Sequence, residues 1–277
     1  MAKYSIEAPH TLFYLEIFKI TYPNCLLLVP NVPLKWLQNP TLNINYSNTM
    51  SWFSKSLNST LGKKLLMALT GLFLITFLIG HLAGNLTLFK ADGKDAFNLY
   101  AKFMTTNPFI KILSYVTYAC IILHVIYSIV LSAYNRKARP VGYKVNKANQ
   151  NSVWTSRNMG ILGTIVLIFI VIHLKSFWYE MHFGSVTTYN LDGSPIKDLY
   201  GVVNQAFHQL WYVALYVVCM IFLAFHLSHG FQSAFQTLGL NHKKYTPAIK
   251  LAGLGFSILV PTLFALIPVY MYLFIEL

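Results

Sequence analysis

Acidic residues are scarce in this sequence: eight aspartates and glutamates stand against 21 lysines and arginines in 277 residues. Cysteine is scarcer still, and Cys25, Cys120 and Cys219 are isolated, so no paired spacing exists that could hold zinc or an iron–sulfur cluster. No glycine-rich phosphate loop is present, and the segments outside the apolar runs are too short to build a flavin or nucleotide domain. No serine or cysteine has an evident base and carboxylate set, which leaves a nucleophilic hydrolase without support. The apolar runs hold almost no carboxylates, so proton pumping through acidic relays has little material to work with.

What the sequence does have is hydrophobicity: 56% of its residues are hydrophobic and only 10% charged, outside the makeup of a soluble globular domain. Crossing a hydrocarbon core takes about 20 apolar residues, and five runs qualify: residues 65–89, 109–134, 159–179, 207–235 and 251–274. Each reads as one helix, because lipid offers backbone groups no partner outside a helix or closed barrel and strand-like alternation is absent. The expected fold class is all-α, an integral membrane five-helix transmembrane bundle over residues 51–277.

Charge then sets the expected topology. Arg136, Lys137, Arg139, Lys144, Lys147 and Arg157 lie between the second and third runs, and Lys243, Lys244 and Lys250 between the fourth and fifth, with no acid in either loop. Lys55, Lys63 and Lys64 precede the first run, whereas the loop after the third carries Glu180, Asp192 and Asp198 against Lys197. The positive-inside rule places the N-terminal side in the cytoplasm and the C-terminus outside. Topology accounts for most of the net charge of +13; a basic inner face would also suit an acidic soluble partner. Nucleic acid is not expected, since the basic residues are scattered over loops and no binding motif accompanies them.

Residues 1–50 read differently. Pro9, Pro23, Pro30, Pro33 and Pro40 break every apolar run, and Glu7 and Glu16 spoil a signal-peptide pattern. MSWFSKSLNSTLGKKLLMALTGLFL, from Met50, looks like a natural beginning, so the expectation is a start at Met50 with a poorly ordered extension before it. The alternative is a peripheral element lying on the membrane face.

Histidine is the chemistry-bearing residue of the runs: His81 in the first, His124 in the second, His173 in the third, and His226 with His229 in the fourth. One histidine in a membrane helix is more often a helix-to-helix hydrogen bonder than a ligand; four helices each carrying one are another matter. The first and third runs go outward and hold His81 and His173 in their later parts, near the outer ends. The second and fourth go inward and hold His124 and His229 past their middles, toward the cytoplasm. Two pairs are expected, His81 with His173 and His124 with His229 or His226, which is what two bis-histidine haems need. Zinc would want three or four histidines at one level. Small residues accompany the histidines and would leave room for a flat macrocycle: Gly80 and Gly84 beside His81, Ala119 and Ser128 beside His124, Gly230 after His229, and Gly160 and Gly163 in the third run.

With GKKLLMALTGLFLITFLIGHLAGN in the first run and HLSHGFQSAFQTLG in the fourth, about four fifths of the chain resembles the di-haem cytochrome b anchor subunit of succinate:quinone oxidoreductases, the succinate dehydrogenases and fumarate reductases with a single large anchor. The resemblance implies two haems b, an inner one ligated by His124 and His229 and an outer one by His81 and His173. It gives His226 a supporting role, as a donor to a haem propionate, and makes Lys175 and Arg157 candidate propionate partners, although snorkelling at helix ends also accounts for both. It further implies docked flavoprotein and iron–sulfur subunits, menaquinone as lipid substrate, and residence in the bacterial inner (cytoplasmic) membrane. Leu227 stands where the fumarate reductase relatives carry a glutamate, which favours a succinate dehydrogenase. Asp92 and Asp95 are candidates for proton exchange near the outer haem. The competing readings are a cytochrome b anchor of a hydrogenase or formate dehydrogenase, and a haem-free transporter whose histidines relay protons.

Overall fold

Each long apolar run becomes a helix, and the first two start where a side chain caps them. The computed structural model of the protein describes residues 52–138, 140–141 and 147–276, so the expectations for residues 1–50 and for a start at Met50 lie outside the described residues. After α1 (Trp52–Asn58), the Ser59 hydroxyl accepts from the Gly62 N–H and opens α2 (Thr60–Asn85). A 3₁₀ turn, Leu86–Phe89, leads to α3 (Gly93–Thr106), and Asn107 then caps α4 (Pro108–Lys137) by accepting from the N–H groups of Phe109 and Ile110. Proline at the first position of α4 costs nothing, because that N–H would be unpaired anyway. α5 (Met159–His173) continues through a π-helical turn, Leu174–Tyr179, to Phe183.

A hairpin follows, with β1 (Thr188–Leu191) antiparallel to β2 (Ser194–Lys197) and Leu191 opposite Ser194. Its two-residue turn, Asp192 and Gly193, has both φ angles positive, at 51° and 77°, which is the twist that joins two strands tightly and which Asp-Gly tolerates. The hairpin lies between the third and fourth apolar runs, which are helical as expected; four residues per strand are too few to register as alternation, and the Asp-Gly pair is the sequence signal for it. α6 (Leu199–Phe207), α7 (Leu210–Thr237) and α8 (Thr246–Phe274) complete the described chain.

Five helical segments, Thr60–Phe89, Pro108–Lys137, Met159–Phe183, Leu210–Thr237 and Thr246–Phe274, are long and apolar enough to cross a membrane. This is a mostly helical, multi-pass membrane protein. The fourth run was expected to begin at residue 207, but the chain turns at His208 and Gln209, between α6 and α7. Phe207 is apolar because it is buried at that joint, not because it spans lipid. His208 sits in the turn with Nδ1 2.8 Å from Asn204 O and Nε2 2.9 Å from Ile275 O.

α7 packs on α8, α2 and α5, while α4 lies along α2. The buried core follows from that order, with Ile75, Met220, Leu223 and Leu227 in one cluster and Phe97, Phe207, Tyr212, Tyr216 and Met271 in another. Ile112, Ile129, Ile161 and Ile258 point outward instead, as residues facing lipid do. The helix ends define two sides. Lys63, Lys64, Arg136, Lys137, Lys243 and Lys244 mark the lysine end; α3, the hairpin and α6 form the hairpin end.

Asn98, 1% exposed, ties the hairpin end together. Its amide nitrogen donates to Asp198 Oδ1 at 2.9 Å and to the Tyr189 hydroxyl at 3.3 Å, and its oxygen accepts from Tyr200 N–H at 2.8 Å. Asp198 also accepts from Gly201 N–H and pairs with Lys94 at 3.1 Å. Burial pushes the Asp198 carboxyl up, but the Asn98 amide, the Gly201 N–H and the Lys94 ammonium together hold it below its usual range.

Candidate functional site

The histidines come together two by two. His81 on α2 and His173 at the end of α5 have ring centres 5.7 Å apart, with planes at 87°. His124 on α4 and His226 on α7 have centres 6.4 Å apart, with planes at 68°. Among the described residues no three His, Cys, Asp or Glu side chains gather to hold a metal ion.

The two pairs stand on separate levels, and three helices measure the gap independently. Gly71 touches His124 of the second pair and lies ten residues before His81 of the first; Gly163 abuts His226 and lies ten before His173; Tyr216 bonds His173 and lies ten before His226. At about 1.5 Å rise per residue, each helix puts the levels roughly 15 Å apart. The His81–His173 level is nearer the hairpin end, and the His124–His226 level nearer the lysine end.

Each level has one imidazole tethered through Nδ1 by a hydroxyl on another helix. Thr70 Oγ1 of α2 is 3.2 Å from His124 Nδ1, and the Tyr216 hydroxyl of α7 is 3.2 Å from His173 Nδ1. Tethering the outer nitrogen fixes ring orientation and leaves the other nitrogen for a ligand, the usual support behind metal-bound histidine. His226 Nδ1 is buried with no hydrogen-bond partner, which in a native interior calls for an explanation.

Space around the lysine-end rings comes from two glycines. A Cβ on Gly71 would meet His124 Cε1 at 3.2 Å, and one on Gly163 would meet His226 Cε1 at 3.5 Å. Gly80, Gly160 and Gly230 have nothing within 4 Å of the Cβ position. The hairpin-end rings sit among aromatics instead: Phe77 stacks on His81 at 5.4 Å, Phe264 lies 5.6 Å from it, and Phe169 and Phe177 flank His173 at 5.8 and 5.4 Å.

The other expected site residues are elsewhere. His229, half-buried, is one turn beyond His226, and it is His226 that the structure places beside His124. A Cβ on Gly84 would overlap the Tyr100 ring, so this glycine seats α3 against α2. Arg157 donates to the backbone oxygens of Ala148 and Ser152 and lines a surface cavity of about 580 Å³ with Trp154 and Gln150. Lys175 is exposed, pairs with Glu180 at 2.6 Å and lies over the Tyr179 ring. Asp95 accepts from the Tyr189 hydroxyl at 2.7 Å, joining the cluster around Asn98. Thr70, Gly71 and Tyr216 escaped the sequence reading; only the small pair Thr70-Gly71 facing into a lipid-length run could have signalled them.

Two imidazoles that share one metal have ring centres roughly 6 Å apart, from two metal–nitrogen bonds of about 2.0 Å and two half-rings. Both pairs lie close to that separation. Compared with protein-family models, curated proteins and solved structures, the chain matches none.

Proposed function

We propose that this chain is the di-haem cytochrome b anchor of a succinate:menaquinone oxidoreductase, joining a flavoprotein and an iron–sulfur subunit to the lipid-soluble quinone. The observation that carries the proposal is the arrangement of imidazoles in two pairs, one level roughly 15 Å from the other. His81 and His173 would hold one haem b; His124 and His226 would hold the second, in place of the His124 and His229 set that the family resemblance implies. The residues fit the group on three counts: ring separation, Nδ1 tethers on His124 and His173, and a buried, unpartnered nitrogen on His226. When bound between two imidazoles, haem iron has no open coordination position and supplies one-electron transfer.

The chain's own residues orient and insulate. Thr70 and Tyr216 hold one imidazole of each pair against rotation. Phe77, Phe169, Phe177 and Phe264 keep water from the hairpin-end pair, and Gly71 and Gly163 let the lysine-end rings lie against backbone. The lysine end, with Lys63, Lys64, Arg136, Lys137, Lys243 and Lys244, would face the cytoplasm by the positive-inside rule and offer the docked subunits a positive surface. In this reading the membrane is the bacterial inner membrane, and the C-terminus faces outward.

The test is the absorbance of the purified chain, expressed with haem supply, as a reduced-minus-oxidised spectrum. Two low-spin b-type haems per chain are expected, together with co-purification of a succinate-oxidising flavoprotein. A colourless chain would exclude this function in favour of a transporter using histidine relays; haem with a hydrogenase or formate dehydrogenase partner would move the anchor to another complex.

A further inference from the structure

We propose that Thr70 is a positioning residue that locks His124 in the tautomer with its proton on Nδ1, keeping the Nε2 lone pair free for a metal. The second clause rests on the haem function proposed above; the first stands on hydrogen-bond bookkeeping alone.

Thr70 is 7% exposed, so no bulk water competes for its hydroxyl. Its Oγ1 is 2.8 Å from Leu66 O and 3.1 Å from Met67 O, both one turn back on α2, and 3.2 Å from His124 Nδ1. A threonine hydroxyl has one proton and two lone pairs, while a carbonyl oxygen can only accept. The proton therefore goes back to the helix. Turning it toward His124 would leave two oxygens 2.8 Å apart with no hydrogen between them and give up the shorter bond for the longer. With its proton committed, Oγ1 accepts, and His124 Nδ1 must be the N–H that donates. A neutral imidazole has one N–H, so Nε2 carries the lone pair.

Gly71 completes the seat. The Cε1 atom adjoining Nδ1 lies 3.2 Å from where a Gly71 Cβ would be, so a side chain there would press the ring off Thr70. The opposite level lacks such a lock. Tyr216 meets both His173 Nδ1 and, at 3.3 Å, the Tyr212 hydroxyl, and either phenol can donate, so the direction at His173 is not forced.

The test uses the full chain in lipid bilayers with ¹⁵N-labelled histidine and no added haem, read by NMR at a pH where imidazole is neutral. His124 should appear as a single Nδ1–H tautomer in the wild type and in Thr70→Ser. In the isosteric Thr70→Val it should shift to mainly Nε2–H, the form free imidazole side chains prefer. A wild-type proton on Nε2 overturns the proposal without any variant, and an unchanged Thr70→Val spectrum overturns it as well. For the metal clause, the haem-loaded Thr70→Val chain should raise the midpoint potential of one haem and leave the other, because losing the Nδ1 acceptor weakens the ligand. Two unchanged potentials would refute that clause, and a wild type without haem would remove the proposed function while the tautomer result stands.

Discussion

The ring of His226 lies against the backbone of Gly163, with Cε1 3.5 Å from the place a Cβ would occupy. That distance is ordinary van der Waals contact, so alanine fits and a branched residue does not. Gly163→Ala should be nearly neutral. Gly163→Val should overpack the contact at a cost of about 1–3 kcal/mol and displace His226; on the proposed di-haem function this lowers the haem-to-protein ratio of the purified chain from two toward one.

The identity of the fourth-helix ligand is decided by two single variants. On the proposed di-haem function, His226→Ala should lose the lysine-end haem and keep the other; His229→Ala should keep both, because His226 is the ring beside His124. Haem content per chain measures this, and the opposite pattern would falsify the pairing.

At the hairpin end, Asn98→Ala should leave Tyr200 N–H, and one acceptor position on Asp198, without their partners. Stranding such buried groups costs about 1–3 kcal/mol. Faster proteolysis within residues 186–198, with the spectrum of the histidine levels unchanged, is the expected result.

The same cluster predicts a pH dependence. The folded-state pKa of Asp198 lies below its ordinary 3.8, so its contribution to stability is complete above that ordinary value and is lost as pH falls through it and then through the folded pKa. The protection of the hairpin amides, as exchange relative to the intrinsic rate at each pH, should be constant from neutral pH down to about pH 5 and fall in stronger acid. Asp198→Asn should remove that acid sensitivity.

Much of the site was legible in the sequence because membrane helices expose their chemistry by exception. A polar residue in a lipid-length run is costly and stands out, and helical rise converts sequence position into depth. His81 could thus be matched to His173, and His124 to the pair in the fourth run, from order alone. The tethers were not legible, since Thr70 and Tyr216 look like ordinary membrane-helix residues until a second helix brings an imidazole to them. The hairpin and α3 escaped for a related reason: they are short, half-polar elements that a search for long apolar runs passes over.

The sequence by itself determined five helices, their alternating directions and the two levels of histidine, because hydrophobic length and rise per residue are properties of one chain segment at a time. Only the tertiary structure decided between His226 and His229. The two lie about 60° apart around α7, near enough that either could face inward, and the choice falls to what the neighbouring helix presents there: a glycine on α5, beside which the His226 ring fits.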